Sequence, residues 1–154
     1  MIPTVEILLD HNFTCRKPLL ESLKKLDNDD FTRNLGIGDT SFRNILVHLM
    51  NTEIYWISLL SDMETEKLNP EEFKDIKSIA KTWQMIERKT REFVSNQTEV
   101  SLQYVKSVDW KKGTVSFTVA KALIHMATHE THHRGFIIGL LRQMGYEPPD
   151  VNML

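Results

Sequence analysis

Thr128-His129-Glu130-Thr131-His132-His133-Arg134-Gly135 lies within a longer stretch, Ser116 to Met144, whose reading as one helix decides the fold. Four of the six histidines, His125, His129, His132 and His133, fall in this stretch. At about 100° of rotation per residue, with His125 set at zero, His129 lies at about 40°, His133 at about 80° and His132 at about −20°. All four therefore share one side. Val119, Leu123, Met126, Ile137 and Leu141 gather between about 100° and 160° on the same wheel, so His133 and then His129 border the core-facing stripe. Side chains four residues apart stack on one helix surface, and His129 with His133 is the pair best placed to converge on a metal ion. A single histidine at such a boundary is ordinarily a polar residue of a half-exposed helix. Four of them within nine positions favour a binding function.

The 154 residues suit one domain with a single core, 1–154. A formal net charge of −2 offers no electrostatic argument for nucleic acid or an anionic membrane surface. No apolar run approaches membrane-spanning length, and Met1-Ile-Pro-Thr-Val-Glu shows neither a basic leader nor a cleavage site, so a cytoplasmic protein is expected. The single cysteine, Cys15, excludes an intramolecular disulfide framework and agrees with a reducing compartment.

From Thr4 to Leu26, Val5, Leu8, Leu9, Leu19, Leu20, Leu23 and Leu26 recur at helical spacing, and the polar cluster Asp27-Asn28-Asp29-Asp30 closes this first helix. Pro18 predicts a kink or break near Arg16-Lys17. His11 and Cys15 stand four apart, a spacing compatible with metal ligation, although a lone buried cysteine mostly behaves as a small hydrophobe. Phe31 to Gly38 reads as a loop, after which Asp39-Thr40-Ser41 offers N-caps for a second helix, roughly Phe42 to Leu60. Its buried stripe is Phe42, Ile45, Leu46, Leu49, Trp56 and Leu60, with His48 at the margin. Helix bundles assemble cofactor sites from facing helices, which makes His48 a possible third donor for the pair on the last helix.

Ser61 to Lys74 is polar and reads as a crossover or short helix, with Pro70 at a helix start. Ile76 to Val94 is amphipathic. Its lysines and arginines alternate with Glu87 and Glu92, so the charged face is a solvated one. Between Ser95 and Val115 the helical period is lost, and alternation followed by Trp110-Lys111-Lys112-Gly113 predicts a short hairpin or extended loop. Tyr104 and Trp110 there either wall a pocket or cover the open end of the core. Thr118 caps the histidine-rich helix, which stops at Gly145 before Pro148-Pro149.

Together, His48 within Ile45-Leu46-Val47-His48-Leu49, Glu53 and Trp56 after it, the His125-x3-His129-Glu130-x2-His133-Arg134-Gly135 run, and Leu141-Arg142-x2-Gly145 resemble the DinB/YfiT-like family. The resemblance spans nearly the whole chain, and its specific part is the last helix. It implies an all-α fold, an up-down-down-up four-helix bundle, often a homodimer, with a divalent metal held by three histidines. By position these are His48, His129 and His133. His125 matches a position frequently occupied by histidine and is kept as an outer-shell residue or alternate ligand.

Three neutral imidazoles with an open fourth position describe a catalytic zinc site, which nickel or another first-row ion also fits. The resemblance implies two uses of that position: a thiol-dependent S-transferase, with a low-molecular-weight thiol and an electrophile as partners, or a hydrolase that activates water. A non-catalytic metal-binding stress-response dimer is the third reading, and DNA binding is disfavoured by the charge. Glu130, at about 140° on the wheel, faces the apolar stripe and reads as a buried partner for a ligand histidine, with Arg134, at about 180°, neutralising it. Cys15 reads as packing, so the thiol would come from a cosubstrate. Val47 and Ile54 on the second helix are expected to remain apolar and uncovered, which suggests a dimer through helix faces.

Overall fold

The computed structural model describes residues 3–38 and 40–154. They form five helices and one hairpin: α1 (Pro3–Leu23), α2 (Asn28–Thr32), α3 (Phe42–Leu60), α4 (Ile76–Ser95), β1 (Val105–Trp110), β2 (Gly113–Thr118) and α5 (Val119–Gln143). Short 3-10 turns occur at Pro70–Glu72 and Ser101–Gln103. Two of the caps, Ser41 and Thr118, are among those the sequence suggests, and Asp75 is one it did not single out. Ser41, Asp75 and Thr118 each accept a hydrogen bond from the backbone N–H three residues on, which starts α3, α4 and α5. At the other end of α5, Gly145 adopts φ +83, the left-handed conformation that closes a helix readily only with glycine.

Among the long helices, α1 packs on α5 and α4, and α3 packs on α4 and α5. Two apolar clusters fill the space between them. One takes Leu19 and Leu23 of α1, Leu46 and Met50 of α3, Ile79 and Trp83 of α4, and Ile137 and Leu141 of α5. The other takes Val5 and Leu9 of α1, Trp56 and Leu60 of α3, Val94 of α4, and Leu123 and Met126 of α5.

Between the two clusters lies a buried polar layer to which all four long helices contribute. Arg16 donates through Nε to Glu130 Oε1 at 3.0 Å and through one terminal nitrogen to Glu130 Oε2 at 2.7 Å and Glu53 Oε2 at 2.8 Å. Its other terminal nitrogen donates to Glu87 at 3.2 Å. Glu53 also accepts from Trp83 Nε1 and from the Thr90 hydroxyl. Arg134 donates to Asn12, whose amide donates to the Ala127 carbonyl. Burial opposes the charge on Arg16, yet Glu130 and then Glu53 more than offset it and push its pKa upward. Burial conversely pushes the Glu53 carboxyl above the usual range, with Arg16 pulling the other way.

Several expectations are corrected. Helix α1 runs through Pro18 without a break, because Arg16 on one side and Leu19, Leu20 and Leu23 on the other are all held in the interior. Those anchors offset the roughly 3 kcal/mol that an internal proline costs. Asp27-Asn28-Asp29-Asp30 starts a helix instead of ending one: Asp27 accepts from Asp30 N at 2.6 Å and begins α2, which buries Phe31. Of the caps expected before α3, Ser41 is the one used, and Asp39 lies outside the described residues. Val47 is fully buried and Ile54 is partly buried against the same core, so neither supplies the uncovered apolar surface expected for a dimer.

The hairpin takes the place left open between an extended loop and paired strands. Val105 pairs with Thr118 and Trp110 with Gly113, which puts Val108, Trp110, Val115 and Phe117 on one face. Phe117 is buried on that face, and the hairpin is thereby laid against the end of α3 and the start of α5.

Candidate metal centre

The α5 wheel places His129 and His133 beside, not within, the apolar stripe, and both are half-buried. On α3, His48 lies one residue past fully buried Val47 and is exposed. Packing of α3 on α5 brings these three rings together, with centroids 5.0 Å apart for His48 and His129, 4.9 Å for His48 and His133, and 4.6 Å for His129 and His133. One nitrogen from each falls within 4.8 Å of the other two. Among the described residues this is the one group of three or more side chains positioned to hold a metal ion.

The donor set fits such an ion. Tetrahedral zinc with Zn–N bonds of about 2.0–2.1 Å sets its nitrogens about 3.3–3.4 Å apart, and His48 Nε2 stands 3.3 Å from His129 Nε2. Burial lowers the pKa of His48 and His133, and burial followed by the neighbouring imidazoles takes His129 down to about 4. All three are therefore neutral near pH 7, the protonation state in which imidazole ligates. In the metal-free protein the sign of the linkage follows: the unfolded chain takes up a proton on position 129 near pH 6.5, the folded chain not until about 4. The contribution of His129 to the stability of metal-free protein is thus expected to be complete above pH 6.5 and to fall as the pH drops towards 4. Denaturant titrations across that range, with His129→Asn as the control that flattens the slope, check this.

His125 and His132 lie outside the trio. His132 is exposed, with its ring 5.4 Å from His133, and His125 is exposed, with its ring 6.1 Å from His129. His11 and Cys15 are in contact, Nε2 to Sγ 3.5 Å, and burial pushes the Cys15 thiol up, so this sulfur is held as a packed thiol.

Glu130 is buried as the wheel requires, but both its oxygens are taken by Arg16, and Arg134 stands 3.8 Å away. The expected bond from a ligand histidine to Glu130 is not made among the described residues, and His129 Nδ1 is buried without a hydrogen-bond partner. The physical reason is competition: a guanidinium offers this carboxylate two charge-assisted bonds, and a neutral imidazole offers one. Arg16 was not singled out by sequence reasoning, and Glu53 entered only as part of the family pattern, with no role given to it or to Thr90. The signal was present, since Glu53 continues the α3 stripe four residues beyond Leu49 and Arg16 falls between buried Phe13 and Leu19 on α1.

An aromatic surface adjoins the trio. Trp56 packs edge-on to His125 at 5.3 Å, to Tyr55 at 5.3 Å and to Phe117 at 5.3 Å, while Trp110 lies 6.4 Å from Trp56.

The fold recurs in solved structures. A DinB-like protein from Bacillus cereus superposes with a TM-score of 0.71 at 20% identity, covering 94% of this chain and 95% of that one. Another, from Bacillus subtilis, superposes with a TM-score of 0.67 at 19% identity, covering 94% of this chain and 97% of that one. In sequence, Protein DinB of Bacillus subtilis is 22% identical over 147 residues, spanning 90% of this chain and 85% of its own length. The DinB family model matches all of residues 1–154, and the chain belongs to the DinB family.

Proposed function

We propose that this protein is a metal-dependent transferase that joins a low-molecular-weight thiol to a small electrophile, with His48, His129 and His133 holding the metal. Zinc fits the donor set best, and nickel or another first-row ion suits the same nitrogens. A divalent ion held there, with a coordination position open, would keep a small thiol deprotonated near neutral pH. The observation that carries the reading is the engagement of Glu130 by Arg16. A hydrolase of the His-Glu-x-x-His kind uses the glutamate beside its ligand histidines as base for water, and here that carboxylate is committed to the interior. His48 is the most exposed of the trio, so a small molecule approaches from the α3 side. The test follows thiol consumption with metal-loaded, metal-stripped and His48→Ala protein. Activity is expected from the first alone, and thiol-independent ester or amide hydrolysis by the loaded form would favour the hydrolase.

The order of core residues supports the up-down-down-up four-helix bundle. Helices α1 and α5 run from the Leu9–Leu123 cluster towards the Leu23–Ile137 cluster, α3 and α4 in the opposite sense. A metal bridging α3 and α5 also ties two helices together. Chelation is expected to lower the melting temperature by roughly 5–10 °C for an ion present at about 100 times its Kd, and an unchanged melt after confirmed metal removal refutes the bridge. A homodimer rests on the family resemblance, now that Val47 and Ile54 are accounted for by the core. Light scattering at tens of micromolar, expected to give twice the chain mass, decides it.

A further inference from the structure

Trp110 has two possible uses, to close the end of the core or to face a ligand, and its exposure separates them. It remains 47% exposed, while Phe117 on the same hairpin face is 7% exposed and does the closing. Val115 on the same face is 40% exposed as well, so Trp110 belongs to an exposed apolar patch and does not stand alone. Its nearest ring is Trp56, which is buried and forms a floor. On that floor stand Tyr55, half-buried, and His125, exposed and 5.3 Å from Trp56. His125 is in turn the neighbour of His129, with ring centroids 6.1 Å apart. An unbroken run of rings, Trp110–Trp56–His125–His129, thus leads from the hairpin tip to the metal centre. Neither His125 nor Trp110 is among the three side chains grouped for the metal.

From this run we infer that Trp110, Tyr55, Trp56 and His125 form the subsite for the electrophile and that it takes a planar, electron-poor ring or conjugated system. The inference rests on the proposed transferase reading for the word electrophile, but the subsite itself is independent of metal chemistry. Indole and phenol faces carry negative quadrupole, so an electron-poor planar group stacks on them more favourably than an aliphatic one of equal size. Sites for small molecules combine such apolar walls with a few polar groups that orient the ligand. His125, between floor and trio, supplies the polar edge on the side where a thiol would be held.

The experiment measures binding of 1,3-dinitrobenzene, which has no leaving group, by isothermal titration calorimetry to metal-loaded and metal-stripped protein, with nitrocyclohexane as the aliphatic comparison. Dinitrobenzene is expected to bind both forms and to outcompete nitrocyclohexane. Trp110→Ala is expected to weaken it about tenfold, while Trp110→Phe restores most of the affinity. Both variants should retain full metal content. Equal affinity of dinitrobenzene for wild type and Trp110→Ala, no measurable binding, or no preference over nitrocyclohexane overturns the subsite. If Trp110→Ala loses binding only together with its cooperative melt, and Trp110→Phe does not restore it, Trp110 is a core cover and the proposal fails. Intact dinitrobenzene binding by a metal-loaded protein that consumes no thiol with 1-chloro-2,4-dinitrobenzene, where the C–S bond would form as C–Cl breaks and chloride leaves, would instead sink the transferase reading and leave the subsite standing.

Discussion

Alanine at position 129 is expected to abolish stoichiometric metal binding, and alanine at position 132 to leave it intact, although the two histidines are three residues apart on one helix. His129 Nε2 faces His48 Nε2 at 3.3 Å and has no substitute within the trio. His132 is exposed and outside the trio, with its ring 5.4 Å from that of His133. Removing an outer-shell partner of a metal site typically costs roughly 10–100-fold in affinity, and losing one of three direct ligands should exceed that. Elemental analysis of protein dialysed against trace metal, followed by competition with a chromogenic chelator, reads both variants. Equal loss from His129→Ala and His132→Ala would show that the metal sits elsewhere on α5. His125→Ala, outside the trio but next to His129, should keep full stoichiometry.

The largest stability effect is expected at Arg16, far from any ligand. This one guanidinium faces Glu53 and Glu130, each at least nine-tenths buried, and a third carboxylate, Glu87, nearer the surface. Arg16→Met leaves two buried carboxylates facing each other without a cation between them, and breaking such a buried arrangement costs about 3–5 kcal/mol. For a chain of this size the melting temperature should fall by roughly 6–20 °C. The loss should also depend on pH with a definite sign. Burial already raises the Glu53 pKa, and Arg16 is the largest of the influences that oppose that rise, ahead of the hydrogen bonds from Thr90 and Trp83. A folded-state carboxyl pKa above the unfolded value confers stability that is complete at low pH and lost as the pH rises through the folded value. Urea denaturation at several pH values between 4 and 8 should therefore find Arg16→Met closest to wild type at the acidic end. Replacing Arg16, Glu53 and Glu130 together by methionine should recover much of the loss, since an apolar layer can substitute for a buried ionic one. A wild-type melt for Arg16→Met alone would mean that the layer contributes nothing to holding the helices together.

The chain by itself determined the four long helical segments, where most of them start and stop, and which face of α5 is buried; the short helix α2 was not among them. Leu123, Ile137 and Leu141 are fully buried where the wheel puts them, His129 and His133 sit at the stripe's edge, and Thr118 and Gly145 mark the ends. These are local properties: a 3.6-residue period, a side-chain oxygen reaching the third backbone N–H, and a residue that accepts positive φ. The resemblance carried by the histidine run also named His48, yet its nearness to His129 across 81 residues is a matter of register between α3 and α5, which no local pattern encodes. Only the tertiary structure decided what the buried charges do. Glu130 was legible as buried and not as Arg16's partner, because its partner stands 114 residues away on a helix where a proline suggested a break. The same packing carried α1 through Pro18, absorbed Val47 into the core, and set Trp110 of the hairpin against Trp56. In each case several local preferences were open, and the outcome was chosen by which groups from distant segments met with water excluded between them, where a paired charge or a filled contact outweighs a local propensity of about 1 kcal/mol.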